Sequence, residues 1–153
     1  MFRKILVATD LTDASVPALR SALELGLRFA AEVVALHVTE PPYHNRQWYL
    51  PFAENDLLDS LRARHRDAAV QALDKQLEVV RSGGPNGAEV REIVKEGIPA
   101  DEIPATALEI GADLIVMGTH GRKGAKHLIL GSIAEHVVRA ASCPVLTVRP
   151  GEN

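Results

Sequence analysis

Apolar residues fall along this chain in two alternating patterns, short continuous runs and longer stretches in which they recur every three or four positions. The first run, Ile5 to Thr9, reads as a buried strand that ends at Asp10, with Thr12 and Asp13 behind it as helix-capping candidates. From Val16 to Ala31, Leu19, Leu23, Leu27 and Ala30 mark an amphipathic helix that tolerates Pro17 in its first turn. Val33 to Val38 is a second buried strand, closed by Thr39, Glu40 and Pro41-Pro42. A long helix is predicted from Glu54 to about Val80, with Leu57, Leu61, Ala68, Ala72, Leu73, Leu77 and Val80 on or near one face, and Ser82 to Gly87 breaks it. Val90 to Val94, more polar and alternating, suits a sheet edge. Gly97 to Ala100 starts a helix that runs through Ile110 and stops at Gly111. Asp113 to Met117 makes the fourth strand, Ser132 opens a helix carrying Ile133, Val137, Val138 and Ala141, and Val145 to Val148 makes the fifth strand.

This alternation argues for an α/β fold, a doubly wound open sheet of five parallel strands covered on both faces and joined by right-handed crossovers. One domain is expected over residues 1–150, followed by a short C-terminal tail, 151–153. The pattern alone does not fix the strand order.

Composition narrows the function classes. A formal charge of -3 gives no electrostatic reason to expect nucleic acid or an acidic membrane surface as partner. The apolar run after Arg3 and Lys4 is too short for a signal peptide, and no run is long enough to cross a bilayer. A single cysteine, Cys143, excludes an intrachain disulfide and agrees with a cytoplasmic setting; it reads as small apolar filler before the last strand.

Between the fourth strand and the last helix lies a basic loop with the spacing Gly118, two residues, Gly121, nine residues, Gly131-Ser132. The glycines allow close approach of backbone to a ligand, while His120, Arg122, Lys123, Lys126 and His127 supply donors and charge. Gly131 and Ser132 open a helix, and a helix start offers unpaired amides and a partial positive charge to an anion. The bland alternative is an ordinary tight connection that binds nothing.

This spacing, the tail Ala-Ser-Cys-Pro-Val-Leu-Thr-Val-Arg-Pro and the opening Lys4-Ile5-Leu6-Val7-Ala8-Thr9-Asp10 together resemble the universal stress protein family, in its ATP-binding subgroup, over nearly the whole chain. The resemblance implies an adenine-nucleotide α-hydrolase-like sheet in the order 3-2-1-4-5. In that order strands one and four lie side by side where the winding reverses, the place where open α/β sheets take ligands. Thr9 and Asp10 end strand one and Gly118 ends strand four, so both converge on one crevice.

The nucleotide-binding set expected on these grounds is Thr9, Asp10, Val38, Met117, Gly118, His120, Gly121, Arg122, Gly131, Ser132 and Ile133. Asp10 would meet a ribose hydroxyl or, through Mg2+, the phosphates; its alternative is a helix cap, a role for which Asp13 is the better placed. Base contacts at Val38 and near Met117 come from the resemblance alone, and without it both are core residues. Leu11 and Thr12 depart from the family's usual small or aromatic residue followed by serine.

His37 reads as a hydrogen-bonded core or rim histidine, and the histidines show no HExxH spacing. The segment Tyr43 to Phe52 holds four of the six aromatics and is either a lid over a base or packing against the sheet edge or a subunit. No nucleophile elbow and no Walker loop occur. The leading reading is an ATP-binding regulatory protein with at most slow hydrolysis. The alternatives are a nucleotidyl-transferring or ATP-hydrolysing enzyme, whose motifs after the first strand are lacking, and an interaction module with an empty crevice. The last strand would leave an exposed apolar edge in a monomer, and the resemblance implies a homodimer paired through Val145 to Val148. Any protein partner is unidentified by the sequence.

Overall fold

The computed structural model describes residues 1–40, 55–85, 87–119 and 130–150. The strands are β1 (Lys4–Thr9), β2 (Glu32–Thr39), β3 (Val90–Glu96), β4 (Leu114–Gly118) and β5 (Val145–Val148). The helices are α1 (Val16–Phe29), α2 (Asn55–Ser82), α3 (Pro99–Ile110) and α4 (Ser132–Ala140), with a short 3-10 turn at Asp13–Ser15. All four strand pairings are parallel and the order is β3-β2-β1-β4-β5. The chain therefore winds outward from β1 to β3, crosses back to β4 and finishes at β5, which places the reversal between β1 and β4 as expected.

The period of two along each strand divides the core into two layers. Ile5 and Val7 of β1, Val33 and Ala35 of β2 and Val116 of β4 face α1 and α2, meeting Leu19, Leu23, Leu73 and Leu77. Leu6, Ala8, Val34, Leu36, Ile115 and Met117 face α3 and α4, meeting Ile103, Ala107, Ala134 and Val137. Burying both faces accounts for the continuous apolar runs of β1, β2 and β4. Asp113 fixes the register of the central pair: its Oδ2 accepts the Arg3 amide at 2.8 Å, and its own amide donates to the Lys4 carbonyl at 2.9 Å.

The elements end as local chemistry dictates. Gly111 caps α3 at φ 66°, a left-handed conformation that glycine adopts without a Cβ penalty. Ala30 caps α1 at φ 50°, so α1 stops at Phe29 and not at Ala31. Two expectations need correction. In α2, Leu57, Leu61 and Ala68 are exposed and Ala69 is buried, because only the helix from Ala69 onward lies over the sheet. In α4, Val138 is exposed and Ala134 takes its place against the core.

Candidate functional site

The site is built at the carboxyl ends of β1 and β4, which pair through Ala8 and Met117. Beyond β4, the buried Thr119 fixes the lip. Its amide donates to the Val148 carbonyl at 3.0 Å, and its carbonyl accepts the Gly131 amide at 2.7 Å. The glycine loop's two ends are thus clasped together, and α4 starts immediately beside the end of β4.

The first backbone bond inside α4 runs from the Glu135 amide to the Gly131 carbonyl at 2.9 Å. The amides of Ser132, Ile133 and Ala134 precede it and have no carbonyl within the helix to take. They add their dipoles to a partial positive charge at that point. Gly131 is half-buried at φ −72° and ψ 159°, ordinary extended backbone, and Ser132 is exposed.

Val38, Met117 and Ala8 belong to the α3–α4 core layer, and Ile133 packs against it. The two proposed base contacts and the first turn of α4 therefore share one side of the sheet. Gly118 is the last residue of β4. His120, Gly121 and Arg122 lie outside the described residues, as do Lys123, Lys126, His127 and the Tyr43 to Phe52 segment.

At the end of β1, the turn into α1 is set by hydrogen bonds. Asp10 Oδ1 accepts from the Thr12 amide at 3.0 Å and from the Thr12 hydroxyl at 2.6 Å. Asp10 thus closes an Asx turn onto Thr12, while the expected side-chain caps do not form: Thr12 and Ser15 are the N-caps of the 3-10 turn and of α1 without a side-chain cap bond, and Asp13 is exposed within the turn. Leu11 takes φ 65°, a left-handed conformation that is costly for a residue with a Cβ, and its amide donates to Thr9 Oγ1 at 3.0 Å. Thr9 is 6% exposed and its hydroxyl faces inward, donating to Gln76 Oε1 at 2.6 Å. Its carbonyl accepts from His37 Nδ1 at 2.9 Å, which fixes that nitrogen as the protonated one and agrees with a hydrogen-bonded core histidine.

Gln76, 9% exposed in α2, is the residue that reading the sequence missed. Its amide nitrogen donates to the Thr12 carbonyl at 2.9 Å. A signal existed: Gln76 falls within the spacing Leu73, Leu77, Val80, so a polar side chain occupies the apolar stripe. Elsewhere, burial and then the Asp113 carboxylate push the Cys143 thiol above its ordinary value of 9.0, so it stays protonated and inert, as a packing residue would. Among the described residues no cluster of three or more His, Cys, Asp or Glu side chains forms a metal cage. No described helix is long and apolar enough to cross a membrane.

Comparison with known proteins agrees with this geometry. The model of the universal stress protein family matches residues 1–149. A universal stress protein of Methanocaldococcus jannaschii is 34% identical over 97% of this chain and 83% of its own. Two solved structures share the fold. One is a universal stress protein in complex with cAMP, 21% identical, with TM-score 0.68 over 98% of each chain. The other, from Archaeoglobus fulgidus in complex with dAMP, is 23% identical, with TM-score 0.64 over 97% of this chain and 98% of its own. With the sheet order, the crevice between β1 and β4 and a family match over nearly its whole length, this chain belongs to the universal stress protein family.

Proposed function

We propose that this chain is an ATP-binding regulatory protein of the stress response, with nucleotide held at the carboxyl ends of β1 and β4. The observation that carries this reading is the bond between the Gly131 amide and the Thr119 carbonyl, which sets the unpaired amides of α4 at the winding reversal. In this reading the phosphates lie against the amides of Ser132 and Ile133. Gly118, Gly121 and Gly131 admit them, and His120 and Arg122 supply donors. The base packs along Val38 and Met117. The relatives solved with cAMP and dAMP support an adenine nucleotide as the ligand class.

In this reading Asp10, at the end of β1 and held by Thr12, meets the nucleotide from the other wall of the crevice. One oriented carboxylate suits Mg2+ shared with phosphate oxygens, since that ion keeps several waters and takes one or two carboxylates. Bound there, Mg2+ would neutralise phosphate charge. Thr9 contributes as scaffold, its hydroxyl being engaged by Gln76. In this reading occupancy is the output, with hydrolysis slow at most.

The protein acts in the cytoplasm as a homodimer paired through β5, an edge strand whose Leu146 is exposed. Leu25, Leu27 and Pro85 line a shallow depression beside Leu146, which extends that apolar edge toward a second copy. An unidentified protein partner reads the occupied dimer. Calorimetric titration with ATP and Mg2+ tests the nucleotide reading: saturable binding of about 8 kcal/mol, near micromolar, with much weaker AMP and GTP binding is expected. Absence of binding would leave an interaction module of the same fold.

A further inference from the structure

The β1–α1 turn that carries Asp10 has no glycine to ease its left-handed residue, Leu11, whose side chain packs against the α1–α2 core layer. Its polar side is held by a set of buried and half-buried hydrogen bonds. Thr9 Oγ1 accepts from the Leu11 amide at 3.0 Å, stands 2.7 Å from Ser15 Oγ and gives its single proton to Gln76 Oε1 at 2.6 Å. Ser15 Oγ also stands 2.8 Å from the Thr12 carbonyl. Gln76 Nε2 spends one hydrogen on that carbonyl at 2.9 Å and points the other at Ser15 Oγ at 3.3 Å. Thr9, Ser15 and Gln76 are all buried.

The glutamine amide ties the two ends of the turn together from a distant helix. Thr9 gives its one proton to Gln76 Oε1, and the Thr12 carbonyl, which already accepts the Ser15 amide at 3.1 Å, takes a further donor from Gln76 Nε2. A side chain that joins both groups offers an acceptor and a donor at once, from a helix far away in sequence. No apolar residue does this, and a carboxylate offers only acceptors.

From this we infer that Gln76 is a positioning residue of the nucleotide site, holding the Thr9–Ser15 turn in the one shape that presents Asp10 to the crevice between β1 and β4. The inference rests on the nucleotide reading above, but the device is visible without ligand. Leu11 is held at φ 65° in this turn, and the bonds to Thr9 and Gln76 offset that cost.

Two substitutions test it. Gln76→Met keeps length and packing and removes both polar ends. Gln76→Glu keeps the acceptor and loses the donor until the carboxyl is protonated. In the nucleotide-free protein, Gln76→Met should raise amide exchange at Leu11 and Thr12 by about tenfold, with the β2 amides unchanged. ATP affinity should fall about tenfold in both variants near pH 7.5, one lost hydrogen bond's worth. Near pH 5.5, Gln76→Glu should recover to within about threefold of wild type measured at the same pH, because burial raises a carboxyl's pKa and protonation restores the donor, whereas Gln76→Met should not. If Gln76→Met is too unstable to study, Ser15→Ala should loosen the same two amides to a lesser degree.

Unchanged exchange at Leu11 and Thr12 overturns the inference. So does wild-type ATP affinity in Gln76→Met, or an equal loss in Gln76→Glu at both pH values, which marks a packing effect. Wild-type protein that binds no ATP overturns the nucleotide reading itself and, with it, this role for Gln76.

Discussion

The amide of Thr119 donates to the carbonyl of Val148 at 3.0 Å, tying the end of the edge strand β5 to the residue from which the glycine loop departs. The strand proposed to pair across the dimer and the loop proposed to bind phosphate are therefore joined through one peptide unit. Leu146 is the exposed apolar residue of that strand, while Val148 also packs against the α1–α2 core layer. Leu146→Asp should accordingly raise the dimer dissociation constant by about tenfold or more without unfolding the monomer, because a charge would be desolvated in the pairing. Sedimentation or light scattering at micromolar concentration checks this, and a monomeric wild type contradicts the dimer.

Thr106 lies in α3, 0% exposed, and its hydroxyl meets no hydrogen-bond partner among the described residues. Thr106→Val replaces the hydroxyl by a methyl of nearly the same shape and removes a buried polar group. The variant should gain about 1 kcal/mol, roughly 2–4 °C in Tm, measured by thermal unfolding.

Ala30 is exposed and takes φ 50° at the end of α1. Exposed, its methyl gains little from burial to offset the left-handed strain. Ala30→Gly should stabilise by roughly 0.5–1 kcal/mol, the relieved strain being partly offset by the freer unfolded chain. Chemical denaturation checks it through a higher midpoint at unchanged slope.

Glu92 of β3 has its carboxyl pushed above the ordinary 4.5 by burial first, then by the Asp74 charge and a hydrogen bond with Asp74, against a smaller opposing pull from Arg81. The folded state therefore holds this proton more tightly than the unfolded state. Its contribution to stability is full below the unfolded value and is lost as pH rises through the higher folded one. Glu92→Gln should be more stable than wild type at neutral pH, and the gain should shrink as pH falls toward 4.5 and below. Parallel Tm profiles for the two proteins show whether it does.

Much of this was legible before the fold was known, and the reasons are physical. Strands buried on both faces announce themselves as unbroken apolar runs, as at Ile5 to Val7 and Leu114 to Met117, and αL caps such as Gly111 punctuate helices. Strand order was not in the pattern, since any winding would bury the same runs; it came with the family resemblance. The face of α2 was misread because a helix of 28 residues extends about 42 Å, well past strands of this length, so periodicity continued where there was no sheet to cover it. Leu57 and Leu61 repeat the spacing of Leu73 and Leu77 without their burial. Gln76 was not legible as a structural partner because it acts through hydrogen bonds across the fold, a relation that local sequence does not carry, whereas the structural role of Asp10, which holds Thr12 two residues on, is local and was legible as an alternative.

The central claim, that backbone at the start of α4 meets phosphate, is tested most directly at Gly131. Its φ and ψ are ones any residue adopts, so a side chain there need not disturb folding. A Cβ with branches would instead stand where phosphate must approach the amides. Calorimetric titration of Gly131→Val with ATP and Mg2+, beside wild type, should show binding abolished in a protein whose thermal unfolding is still cooperative. Wild-type affinity in that folded variant would contradict the assignment.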